Sequence, residues 1–144
     1  MDKNQIIEGL CAQNPDSLYE RADAVRREYM GNSVLVRVII EFSNYCRRNC
    51  LYCGLRKSNC MVTRYRMTPS EIIDTCRAAH ELGFKTVVLQ SGEDELFAIE
   101  DIADIVQTIK QKFGLAITLS IGERSYDEYR MLRDAGTDRY LMRI

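Results

Sequence analysis

Cys46-Arg47-Arg48-Asn49-Cys50-Leu51-Tyr52-Cys53 places three thiols within eight positions, in the spacing C-x3-C-x2-C. Thiolates are the ligands that iron–sulfur clusters use. Three of them on one tight loop can hold three irons of a cubane and leave the fourth iron open, as an open position serves catalytic zinc. A zinc site would need a fourth ligand: Cys60 is the nearest candidate, and the only histidine, His80, falls inside a predicted helix. The spacing puts iron–sulfur ligation ahead of zinc and ahead of coincidence. The other cysteines read differently. Cys11 and Cys76 fall at apolar helical positions and are expected to be buried structural thiols, and Cys60 a free loop cysteine.

The totals limit what such a site can serve. The chain has 144 residues, the size of one ordinary domain, with 46% hydrophobic and 28% charged residues, as in a folded globular protein. Twenty basic residues against 21 acidic ones leave a net charge of −1, which argues against a nucleic-acid or membrane-surface partner. No apolar run is long enough to cross a bilayer. Met1-Asp2-Lys3-Asn4-Gln5 lacks the basic-then-apolar build of a signal peptide. A cytoplasmic, reducing location follows, in which six cysteines point to metal binding or thiol chemistry rather than disulfides.

The elements that must position the thiols follow from pattern. Helices are expected over 4–11 and 15–29, the second with Asn14 as N-cap and Pro15 at the first helical position. The β-branched run 34–42 (VLVRVIIEF) reads as a mostly buried strand leading into the cysteine loop. Thr68-Pro69-Ser70-Glu71 is a capping box that opens a helix with Ile72, Ile73, Cys76, Ala79 and Leu82 on one stripe, closed by Gly83. A strand over 85–90, a helix over 99–113 closed by Gly114, and a strand over 115–121 follow. A second capping box, Ser125 to Glu128, opens a helix closed by Gly136, and a fourth strand is expected over 139–144. Strands alternating with helices at this spacing signal parallel βαβ units. The cysteine loop would then lie at the C-terminal mouth of the sheet, where α/β proteins place their sites.

Four strands cannot close a (β/α) barrel. The expectation is therefore an α/β fold that is a partial TIM-type barrel, truncated, with a helical extension over 1–33 and the first part of a barrel core over 34–144. A small open four-stranded domain is the alternative.

C-x3-C-x2-C with Tyr52 before the last cysteine, after the first strand of a β/α array, resembles the radical S-adenosylmethionine (SAM) superfamily. Ile40-Glu41-Phe42-Ser43-Asn44, Leu51-Tyr52-Cys53-Gly54-Leu55-Arg56 and 88–94 (VLQSGED) resemble, more narrowly, the HydE family of [FeFe]-hydrogenase maturases within the biotin-synthase-like group. The stretches 118–123 (TLSIGE) and 138–141 (DRYL) extend the likeness.

The resemblance implies a [4Fe–4S] cluster on Cys46, Cys50 and Cys53, and SAM bound beside it and cleaved reductively. It sets Tyr52 beside the adenine, and Ser91, Gly92 and Glu93 against the amino group of SAM. Gln90, Thr118, Arg139 and Arg143 match positions lining the SAM and substrate cavity, and Ser120 and Glu123 are further cofactor-binding candidates. Arginine is a sensible partner for a carboxylate, since its fork binds both oxygens.

The implied partners are a small-molecule substrate, a ferredoxin- or flavodoxin-like electron donor and the other hydrogenase maturases, with neither nucleic acid nor membrane. The resembled family continues its fourth strand with a His-Glu pair, where this sequence has Ile144, so the polypeptide alone is expected to be inactive. Other readings stay open: another biotin-synthase-like or methylornithine-forming enzyme, or a noncatalytic iron–sulfur-binding fragment. Arg47, Arg48, Arg56 and Lys57 either offset an anionic cluster or dock a reductase, or form a solvated basic loop.

Overall fold

Local hydrogen bonding starts three of the five helices among the described residues. In a computed structural model that describes residues 2–142, the Thr68 hydroxyl accepts from the Glu71 amide while the Glu71 carboxylate accepts from the Thr68 amide at 2.7 Å. Ser125 and Glu128 do the same, as do Asp2 and Gln5. Each pair satisfies donors that a helix start leaves unpaired.

Two compact units result, divided between Leu35 and Val36. The first holds α1 (Lys3–Cys11) and α2 (Asp16–Met30). Here Pro15 is the cap of α2 rather than its first residue, and the Asn14 side chain accepts from the Asp16 amide at 2.9 Å. Neither helix buries a residue, so Cys11, expected to be buried, is exposed.

The second unit alternates β1 (Val38–Ser43), α3 (Pro69–Glu81), β2 (Thr86–Ser91), α4 (Ile99–Phe113), β3 (Ala116–Ser120), α5 (Tyr126–Asp134) and β4 (Arg139–Tyr140). The strands form one parallel sheet in chain order. β1 begins four residues later than the β-branched run suggested. Its first partner is Val87 opposite Val38, and the chain before Lys85 is the closing turn of α3, with Gly83 at φ 87°. Residues 34–37 therefore lack a ladder neighbour. Val34, Leu35 and Val36 are exposed. Arg143 and Ile144, at the end of the expected fourth strand, lie outside the described residues.

Alternation along each strand divides the sheet into two faces. Ile40, Phe42, Val87, Leu89, Ile117 and Leu119 join Ile72, Cys76, Ile102, Val106 and Ile109 of the helices in one core. Burying such a side chain contributes about 1.5–3 kcal/mol. Leu82, expected on the apolar stripe of α3, is instead its exposed C-cap. The opposite sheet face carries Ile39, Glu41, Val88, Gln90, Thr118 and Ser120.

Candidate cofactor site

The mouth of the sheet is shaped by a buried carboxylate. Asp94, just past β2, is 3% exposed. It accepts from the Ser43 hydroxyl at 2.5 Å, from Arg66 Nε and Nη2 at 2.5 and 2.9 Å, and from the Leu96 amide at 3.2 Å. Burial alone would raise its pKa, but the Arg66 guanidinium and the Ser43 hydroxyl outweigh it and hold the carboxyl below the usual aspartate range. The same guanidinium stacks on the Tyr45 ring, 3.5 Å from its centre. The ends of β1 and β2 and the residue before Cys46 are thus held together.

Close backbone approach fixes the first cysteine. The Gly92 amide donates to the Ser43 carbonyl at 3.3 Å, and the Arg47 amide to the Glu93 carbonyl at 3.0 Å. A β-carbon at Gly92 would lie 2.7 Å from Cys46 Cβ and would overlap the Tyr45 carbonyl oxygen. Glycine is required there for space, not for a left-handed backbone.

A cavity of about 320 Å3 opens beside this contact, lined by Cys46, Cys50 and Cys53 together with Tyr52, Gln90, Ser91, Gly92, Glu93, Ser120 and Glu123. Leu55, Gly122, Leu141 and Met142, which sequence reasoning did not single out, complete it with Arg48. Thr118 and Arg139 do not line it. They pair with each other two residues further from the mouth, where Thr118 is buried and its hydroxyl has no partner.

Charges cross the cavity rim. Glu93 accepts from Arg47 Nε at 2.9 Å and Arg48 Nε at 2.7 Å, and Arg48 also reaches Glu123 at 2.8 Å. Burial would raise the Glu93 carboxyl; the two arginines and the Glu123 amide together lower it. Arg47 and Arg48, read as a solvated or docking loop, instead bind the carboxylate expected to meet an ammonium. Opposite charges at positions 47, 48, 93 and 123 were the only signal, and nothing in their spacing announces the pairing. Gly122, at φ 83°, lies directly against the Glu93 side chain, so a side chain there would displace it. The Tyr140 hydroxyl donates to the Gly122 carbonyl at 2.6 Å and holds that turn; burial pushes its pKa well up.

As they stand, no three Cys, His, Asp or Glu side chains among the described residues are grouped closely enough to hold a metal ion. The cysteines ring the cavity without converging: Cys50 is exposed, and Cys46 and Cys53 are half-buried. The donor set nevertheless suits an iron–sulfur cluster. Three free thiols border one cavity, and no histidine or further cysteine borders it. Cys60 and His80 lie elsewhere on the surface, and Cys76 is fully buried with its thiol pushed up to about 12.

Parallel strands in chain order, with the thiol-lined cavity at their C-terminal ends, have the arrangement of (β/α) barrels. The radical SAM superfamily profile matches residues 40–144, and the chain belongs to that superfamily. It is 53% identical over 128 residues to the [FeFe] hydrogenase maturase subunit HydE of Thermotoga maritima, covering 89% of this chain and 36% of that protein. It is 38% identical over 110 residues to 3-methylornithine synthase of Methanosarcina barkeri, covering 74% and 31%. The crystal structure of methylornithine synthase (PylB) superposes with a TM-score of 0.87 at 30% identity, over 98% of this chain and 43% of that one. The four parallel strands are therefore part of a radical SAM (β/α) barrel fold. The chain spans about a third of the length of the curated relatives it matches.

Proposed function

We propose that Cys46, Cys50 and Cys53 hold a [4Fe–4S] cluster and that SAM occupies the adjoining cavity, in the service of assembling the diiron site of an [FeFe] hydrogenase. The observation that carries this reading is the C-x3-C-x2-C loop bordering one cavity with Gln90, Ser91, Gly92 and Glu93. The 53% identity to HydE supports the choice of pathway. The chemistry supplied when the cluster is bound is one-electron cleavage of SAM to methionine and a 5′-deoxyadenosyl radical.

The chain's own residues bind and orient. Gly92 gives Cys46 its place against β2. Tyr52, 77% exposed at the rim, offers a ring face to the adenine. Glu93 receives the ammonium of SAM once Arg47 and Arg48 yield it, and Glu123 and Ser120 add acceptors on the far wall. Thr118 and Arg139, which lie outside this cavity, keep only the role toward substrate that the family resemblance implies, as does Arg143. Residues 1–33 act as a helical extension to the barrel core of 34–144. A ferredoxin- or flavodoxin-like protein supplies the electron in a reducing cytoplasm, and the other maturases pass on the product. Among the described residues, no helix is long and apolar enough to cross a membrane. The likeness to PylB at a TM-score of 0.87 favours, as a second reading, the same cofactors acting on an amino-acid substrate.

Anaerobic reconstitution with iron and sulfide, followed by electron paramagnetic resonance with and without SAM, tests the proposal. Alanine at Cys46, Cys50 or Cys53 should abolish the signal, and alanine at Cys11, Cys60 or Cys76 should preserve it. Equal iron loss from Cys60→Ala and Cys50→Ala would replace the reading with a four-ligand site.

A further inference from the structure

One side chain outside the cavity gathers the whole far end of the cysteine loop. Arg64 lies on the returning segment that docks beside β1. There Asn44 behaves as a second backbone: its Nδ2 donates to the Thr63 carbonyl at 2.8 Å and its Oδ1 accepts from the Tyr65 amide at 2.7 Å. From this anchored position Arg64 donates to four carbonyls. Nη1 reaches those of Asn44 and of Leu55, the latter at 2.9 Å. Nη2 reaches those of Arg56 at 2.9 Å and Asn59 at 3.3 Å. Carbonyls that converge on one guanidinium cannot pair with each other; the Arg56 carbonyl also accepts from the Asn59 amide at 3.0 Å, while those of Asn44 and Leu55 are gathered by Arg64.

The gripped segment in turn holds the thiols. The Arg56 amide donates to the Cys53 carbonyl at 3.3 Å, the Lys57 amide to the Arg48 carbonyl at 2.8 Å, and the Ser58 hydroxyl to Asn49 Oδ1 at 2.6 Å. Cys50 lies between the residues so held and Cys53 at their edge. The Cys53 amide donates to the Cys50 carbonyl at 3.0 Å, tying the two together. Cys46 is fixed separately, by Gly92 and the Glu93 carbonyl. Two of three prospective ligands thus lie on backbone held through Arg64, while Cys46, two residues after the Asn44 carbonyl that Arg64 also binds, has its own contacts with Gly92 and Glu93.

We propose that Arg64 is a positioning residue for the cluster loop: it sets the backbone that carries Cys50 and Cys53 before any iron binds. The inference rests on the cluster reading given above, yet its first consequence concerns the iron-free protein. Groups hydrogen-bonded to metal ligands change metal affinity or activity by about 10- to 100-fold when removed, and Arg64 reaches Cys53 through the Arg56 peptide, whose carbonyl it binds and whose amide binds the Cys53 carbonyl. A lysine at this position presents donors from one point and cannot serve carbonyls on both sides of a planar fork.

The test compares wild-type protein with Arg64→Ala and Arg64→Lys. Hydrogen exchange of the iron-free protein should show lost protection at the amides of Cys53, Arg56 and Lys57, with strands β1 to β3 unchanged. After reconstitution, cluster loss to a chelator, followed by absorbance, should be about 10- to 100-fold faster in Arg64→Ala and intermediate in Arg64→Lys. Loss of protection throughout the strands in both variants would make Arg64 a general stability residue and overturn the proposal. So would wild-type cluster retention in Arg64→Ala. If wild-type protein takes up no cluster, the proposed function fails, while the exchange pattern still decides what Arg64 does to the loop.

Discussion

Gly92→Ala isolates the contact that places Cys46. The new β-carbon would lie 2.7 Å from Cys46 Cβ, about 0.8 Å inside the closest ordinary carbon–carbon separation, and would overlap the Tyr45 carbonyl oxygen. Neither obstacle is the free end of a flexible side chain. Relief requires moving the 45–46 backbone, which the Arg66–Tyr45 stack and the Arg47–Glu93 hydrogen bond resist. Overpacking of this kind costs about 1–3 kcal/mol. For a unit of this size that lowers the melting temperature by about 4–12 °C.

Gly54→Ala is the matched control. It lies on the same loop, has no atom within 4 Å of the added carbon and no positive φ. There alanine should be neutral or stabilise by about 0.4–1 kcal/mol through the unfolded chain. Thermal unfolding by circular dichroism reads the first quantity, and iron bound after reconstitution reads the displacement of Cys46. A Gly92→Ala protein that melts with the wild type and binds as much iron would refute the packing argument.

Other consequences follow from the same geometry. The Asp94 carboxyl is held below the ordinary 3.8, so its contribution is complete above that pH and is lost as pH falls through the folded value. Asp94→Asn should cost about 1–3 kcal/mol near neutrality and lose less stability on acidification; parallel acid-unfolding curves would contradict this. Cys76, fully buried with its thiol raised to about 12, should resist iodoacetamide in the folded protein while exposed Cys11, Cys50 and Cys60 react, as mass spectrometry can show. Prompt labelling of Cys76 without denaturant would remove it from the core. Glu93→Ala should weaken the effect of SAM on the cluster spectrum and free Arg47 and Arg48; an unchanged spectrum would exclude Glu93 from SAM recognition.

Much of the scaffold was legible because its signals are local. A capping box closes within three residues, so Thr68–Glu71 and Ser125–Glu128 announce α3 and α5 wherever they occur. The stripe of Ile102, Ile105, Val106 and Ile109 fits one face of α4, and all four are buried. The three thiols of the cysteine loop were equally plain, since residue type and spacing lie within eight consecutive positions, and all three border one cavity. Misreadings came where a neighbour in space decides. Residues 34–37 have strand composition but no strand beside them, and Cys11 sits on a helix that buries nothing.

The sequence by itself determined the alternation of parallel strands and helices and the three thiols at the mouth of the first strand. These depend on backbone preference, side-chain periodicity and covalent spacing, all short-range. Only the tertiary structure decided which charges meet. Glu93 finds Arg47 and Arg48 across 46 and 45 residues, Asp94 finds Ser43 across 51, and Arg64 finds four backbone carbonyls, the farthest across 20 residues. Long-range hydrogen bonds and ion pairs carry no sequence-separation rule. Their partners are chosen by which strand ends the parallel ladder brings side by side.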